Sequence, residues 1–172
     1  MADDPHIVRT GGMDWSQTWR GRHPFNPASE MRLVSLSGPA GMQRVGVSLI
    51  RIPPGRESFI PHAHAVQEEF VFILEGCGEV VLDGLGHAVG PGDFVGFPTD
   101  GVVHSLKSLG PGDLVYLTGG ERSAVEVAEM PSIGKTTVFR NGRMTLMGQD
   151  GVEDLTEAEW MARTRIEDTE TD

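Results

Sequence analysis

The chain has 172 residues, enough for one domain with its own hydrophobic core, and its one cysteine, Cys77, excludes an internal disulfide and fits a reducing compartment. A net charge of −11 argues against nucleic acid and anionic membranes as partners, because both need a basic face. No apolar run approaches the ~18 residues of a membrane span, and the acidic opening Met1-Ala2-Asp3-Asp4-Pro5 does not read as a signal peptide, so a cytoplasmic location is expected.

Residues 1–30 carry Trp15, Trp19 and Phe25 among polar residues, Gly and Pro, and read as an arm lying along a barrel or a partner subunit. Strand-like runs follow at 32–37, 45–52, 59–64, 69–75, 79–82, 93–97, 102–108 and 114–118. Turn chemistry separates them, as in Pro53-Pro54-Gly55, Gly76-Cys77-Gly78, Asp83-Gly84, Gly90-Pro91-Gly92-Asp93 and Gly110-Pro111-Gly112-Asp113. About eight short strands without intervening helix predict an all-β sandwich or jelly-roll barrel, with its core over 31–120. Beyond it, Asn141-Gly142 between two apolar runs predicts a hairpin, and Thr156 with Glu159 predicts a capped helix. This hairpin and helix, within 121–165, are expected to pack on the barrel. Residues 166–172 form an acidic tail.

Chemistry concentrates in three of the six histidines. His62 and His64, one residue apart, share a face on a strand. Glu69 opens the next strand and shares a face with Val71 and Ile73, while Phe70, Phe72 and Leu74 take the other. Both faces of that strand are apolar, so it is expected to be buried on both sides. A carboxylate at its mouth is costly unless paired or metal-bound. His104 shares a face with Val102 and Leu106 and points into the core. Any one of these histidines alone reads as an ordinary core residue. Three imidazoles and one carboxylate converging suit a divalent transition ion: Fe, Mn, Ni, Co or Zn.

Gly55, His62, His64, Glu69 and Gly76, followed by Gly92, Pro98, Gly101 and His104, resemble the two motifs of the cupin superfamily. The pattern departs from the family by one extra residue between Gly55 and His62, another between Pro98 and Gly101, and Ser108 in place of an Asn. The resemblance implies a double-stranded β-helix, the jelly-roll barrel, with a metal inside and often a homodimer. Glu68 competes with Glu69 as ligand; the distance to Gly76 and the shared face with Val71 and Ile73 select Glu69.

His6, His23 and His87 read as surface residues, and Cys77 as incidental. Tyr116, the only phenol, is a weak candidate for a pocket acid or base. Arg51 and Glu75 could reach the pocket but receive no role. The pocket walls are expected from Val71, Ile73, Val102 and Leu106, around a small, partly apolar ligand. Three functions fit: an Fe(II)-type oxygenase of a small oxygenated acid; an isomerase, lyase or decarboxylase using the ion as Lewis acid; or a non-catalytic module binding a sugar or metabolite. A homodimer is expected in which the arm crosses to the neighbour and covers a sheet edge.

Overall fold

The computed structural model describes residues 4–167; residues 168–172 of the expected tail lie outside them. The strands in chain order are β1 (Trp19–Gly21), β2 (Met31–Ser35), β3 (Val45–Ile52), β4 (Ala63–His64), β5 (Glu69–Glu75), β6 (Gly78–Leu82) and β7 (Leu85–Val89). There follow β8 (Phe94–Phe97), β9 (His104–Ser108), β10 (Leu114–Glu121), β11 (Val125–Met130), β12 (Lys135–Arg140), β13 (Arg143–Gly148), β14 (Gly151–Thr156) and one helix, α1 (Glu157–Thr164).

One sheet runs β1-β2-β3-β10-β5-β8. Facing it, β7-β6-β9 and β14-β13-β12-β11-β4 are joined by the segment between β3 and β4. That segment bridges β9 at Glu57–Lys107 and His62–His104 and runs directly into β4. Alternation along the strands fills the space between the layers. Met31, Ile50, Ile52, Val71, Ile73, Leu114 and Tyr116 point in from the first sheet, Val80 and Leu106 from the second. The result is a jelly-roll barrel.

Local sequence explains the corners. Gly76 has φ +83°, and a Cβ there would lie 2.1 Å from the Asp113 carbonyl oxygen. Only glycine lets the β5–β6 turn pass so close to the chain entering β10. Asn141 (φ +51°) and Gly142 (φ +73°) both adopt the left-handed conformation a tight two-residue hairpin needs. Thr156 accepts from the Glu159 amide while Glu159 returns a bond to the Thr156 amide, so α1 begins with its expected capping box.

The structure departs from several expectations. β7, β11 and β14 are additional strands; β7 and β14 are largely exposed, and their pairing with β6 and β13 rather than apolar alternation holds them extended. The outer face of β5 is open: Phe70 and Phe72 are half-buried and Leu74 is exposed. The arm pairs with its own chain, Trp19 opposite Leu33 on β2, and so caps an edge of its own sheet. His23 is buried at 6 % exposure among Phe25, Phe59 and Trp160 rather than at the surface. His6 and His87 are exposed, as is the free thiol of Cys77. No helix among the described residues is long and apolar enough to cross a membrane.

Candidate metal centre

The site forms where β4, β5 and β9 meet at one end of the barrel. The His62 amide donates to the His104 carbonyl at 3.1 Å, and the His104 amide returns the bond at 2.8 Å. This reciprocal bridge sets two imidazoles side by side, with ring centroids 4.6 Å apart. His64 follows on β4, its ring 4.9 Å from that of His62. Glu69 reaches across from β5, with Oε2 3.1 Å from His64 Nε2 and 3.9 Å from His104 Nε2. One donor atom from each of His62, His64, Glu69 and His104 lies within 4.8 Å of all the others. Glu68 is exposed and lines an outer groove instead.

The backbone selects which nitrogen is presented. His62 Nδ1 bonds the Ile60 carbonyl at 2.7 Å and His104 Nδ1 the Val102 carbonyl at 3.1 Å. Each Nδ1 therefore carries a proton as donor, leaving the Nε2 lone pair free. His64 Nδ1 faces Glu126 on β11 at 3.4 Å. Phe97 stacks on His104 with centroids 3.9 Å apart and planes 8° apart, fixing the ring's tilt. His104 Nε2 and both nitrogens of His64 are buried without a hydrogen-bond partner. Orphaned inward-facing lone pairs beside a carboxylate are what a divalent ion satisfies, so the donor set fits the metal expected from the sequence.

Electrostatics agree. Burial, reinforced by the neighbouring imidazoles, holds His62 neutral, its pKa lowered to about 4. Burial alone would raise the Glu69 carboxyl, but the His104 and His64 imidazoles set against it outweigh that and keep the group well below the usual carboxylate range. Burial would likewise lower His64, yet Glu69 and then Glu126 more than offset it and raise its pKa.

A cavity of about 300 Å³ stands over the four ligands. Val71 and Leu106 line it; Ile73 lies fully buried in the core, and Val102 sits in the irregular segment before β9. Leu33, Ile50, Phe59 and Phe97 supply further apolar wall, and Ser58, Ser105, Thr118 and Tyr116 bring hydroxyls. Tyr116 is buried at the cavity, and that burial, aided by the Glu69 charge, pushes its pKa up. Arg51 and Glu75 line an exterior groove, where Arg51 pairs with Asp113. Phe97 and Glu126 are site residues the sequence reading did not single out. The Val125-Glu126-Val127 alternation would place the carboxylate outside, whereas Glu126 is buried and Val125 exposed.

Residues 48–120 match the Cupin domain family. No curated protein matches the chain significantly. Among solved structures, a candidate sugar phosphate isomerase from Acidithiobacillus ferrooxidans is 30 % identical, covering 88 % of this chain and 97 % of its own, with a TM-score of 0.79. A sugar phosphate isomerase of the cupin superfamily from Silicibacter pomeroyi is 27 % identical over 85 % of this chain and 97 % of its own, at TM-score 0.72. The polyketide cyclase RemF from Streptomyces resistomycificus shares the fold at 22 % identity and TM-score 0.52, over 67 % of this chain and 79 % of its own. With the barrel, the two motifs and a 30 %-identical relative spanning nearly its full length, the chain belongs to the cupin superfamily.

Proposed function

We propose that the protein is a metal-dependent enzyme that isomerises a small sugar-type hydroxy-carbonyl compound. The observation that carries this reading is the pairing of the His62, His64, Glu69, His104 cluster with a largely apolar, hydroxyl-bearing cavity. The sugar phosphate isomerase names of two similar structures support it. A divalent ion held by these four residues supplies Lewis-acid polarisation of a substrate oxygen. The raised pKa of Tyr116 keeps its phenol protonated, so it donates a hydrogen bond to a substrate oxygen and does not act as a base. Val71, Leu106 and Phe97 keep bulk water from the reacting atoms. No Lys or Arg lines the cavity among the described residues, which favours an uncharged polyhydroxy substrate over a phosphate ester.

The second reading, Fe(II)-dependent oxygenation of a small oxygenated acid, is favoured by the same apolar wall and donor set. Wild type loaded with Zn(II), Mn(II) or Fe(II) is incubated with small aldoses, ketoses, their phosphates and hydroxy acids, under nitrogen and in air. Turnover under nitrogen with Zn(II) or Mn(II) is expected. Turnover only with Fe(II) and O₂ replaces isomerisation by oxygenation, and no turnover under any condition makes the chain a small-ligand binding module.

A cytoplasmic homodimer completes the proposal. With Trp19 paired on its own β2, the outer sheet face is the surface we propose for it. Phe94, Phe72, Leu117, Leu49 and Val34 form an apolar row across five strands of the outer face, in direct register.

A further inference from the structure

Glu126 has no role in the ligand set, yet it is only 8 % exposed, and neither of its carboxylate oxygens has a hydrogen-bond partner. A buried, unpaired carboxylate is expensive unless something beside it needs its charge. The group it faces is His64, whose Nδ1 lies 3.4 Å from Oε1. β11 places it there by pairing with β4, Ala128 opposite His64, so that Glu126 stands behind the imidazole while Glu69 stands before it. The other two histidines rest their Nδ1 protons on neutral backbone carbonyls. His64 alone is backed by a formal charge.

We infer that Glu126 is a positioning residue for the metal: it holds the Nδ1–H of His64, aims Nε2 at the ion, and places a second carboxylate charge behind the site. A carboxylate behind a ligating imidazole fixes its tautomer and makes the ring a stronger donor. With the half-buried Glu69, it brings two carboxylates to the centre, whose charge one divalent ion would neutralise. The inference deepens the metal-dependent reading above and rests on it.

The test is metal affinity, independent of any substrate. Chelator-stripped wild type, Glu126→Gln and Glu129→Gln, the last removing an exposed charge from the same strand, are titrated with Zn(II) and Co(II) against a chromophoric chelator. Glu126→Gln is nearly isosteric; it should weaken binding about 10–100-fold and shift the Co(II) visible bands, with Glu129→Gln unchanged. In a His64→Ala background, Glu126→Gln should have no further effect, because its route to the ion is gone. Wild-type affinity and spectrum in Glu126→Gln overturn the inference, as does an equal loss in both backgrounds. A wild type that binds no ion removes the metal reading and the inference with it, so the two failures are distinguishable. A long-range ¹⁵N–¹H spectrum of zinc-loaded wild type needs no variant: Nδ1–H on His64 is expected, and zinc on Nδ1 overturns the inference.

Discussion

His23 ties the arm to the body of the protein, and its burial makes stability depend on pH. Its ring centroid lies 5.7 Å from those of Phe25 and Trp160 and 6.0 Å from that of Phe59. Nδ1 accepts from the Phe25 amide at 3.4 Å, a role open only to the neutral ring. Burial lowers its pKa from 6.5 to about 4. The unfolded chain therefore binds a proton that the folded chain refuses throughout that interval. The stabilisation is present above the unfolded value and is lost as pH falls from about 6.5 towards 4. Each pH unit inside the interval is worth about 1.4 kcal/mol, so going from about pH 8 to about pH 5 should cost about 2 kcal/mol through this residue alone. The assay is urea unfolding of metal-stripped wild type and His23→Asn at both pH values. Asn keeps an acceptor but cannot titrate, and it loses the ring contacts. It should be the less stable protein at high pH, with a deficit about 2 kcal/mol smaller at low pH. A deficit identical at the two pH values refutes the reasoning, since a pure packing loss has no such dependence.

His104→Ala should abolish stoichiometric divalent metal, measured by elemental analysis; wild-type affinity should fall with decreasing pH from above the ordinary histidine value of ~6.5, because Glu69 and Glu126 raise the pKa of His64 and a protonated imidazole cannot ligate, while His62 stays neutral until about pH 4. Gly76→Ala should cost at least about 2 kcal/mol in denaturant titration, from left-handed strain and the 2.1 Å approach to Asp113. Leu117→Lys puts a charge in the middle of the apolar outer row and should convert the proposed dimer to monomer in light scattering while leaving the fold's circular dichroism intact. Identical mass for wild type and variant counts against that face.

What could be read from the sequence was what local chemistry decides. The Asn141-Gly142 turn and the Thr156–Glu159 cap are closed by groups a few residues apart, so their residue types announce them. The ligand cluster was legible because strand alternation fixes which side His62, His64, Glu69 and His104 face. His23 was not: the aromatic rings that bury it come from Phe59 and Trp160, far along the chain. Glu126 was hidden more deeply, since its burial inverts the apolar pattern of its own strand and follows only from β11 lying beside β4. Trp19 suggested a contact surface, but nothing local distinguishes an arm returning to its own β2 from one crossing to a neighbour.

The reciprocal backbone bond between His62 and His104 has a consequence for how the protein meets its ion. Two of the four donors are spaced by main-chain hydrogen bonds of the barrel wall, so they stand ready in a finished fold. Metal capture then demands little ordering of the chain, unlike a zinc finger whose polypeptide collapses around its ion. An ion held there would be a passenger of the barrel, free to exchange without unfolding its host. Which element occupies the site in a living cell is then governed by the relative abundance of competing ions and by the affinity order of a nitrogen-rich donor set. Growth on different metal supplies would thus yield the same polypeptide in chemically different forms.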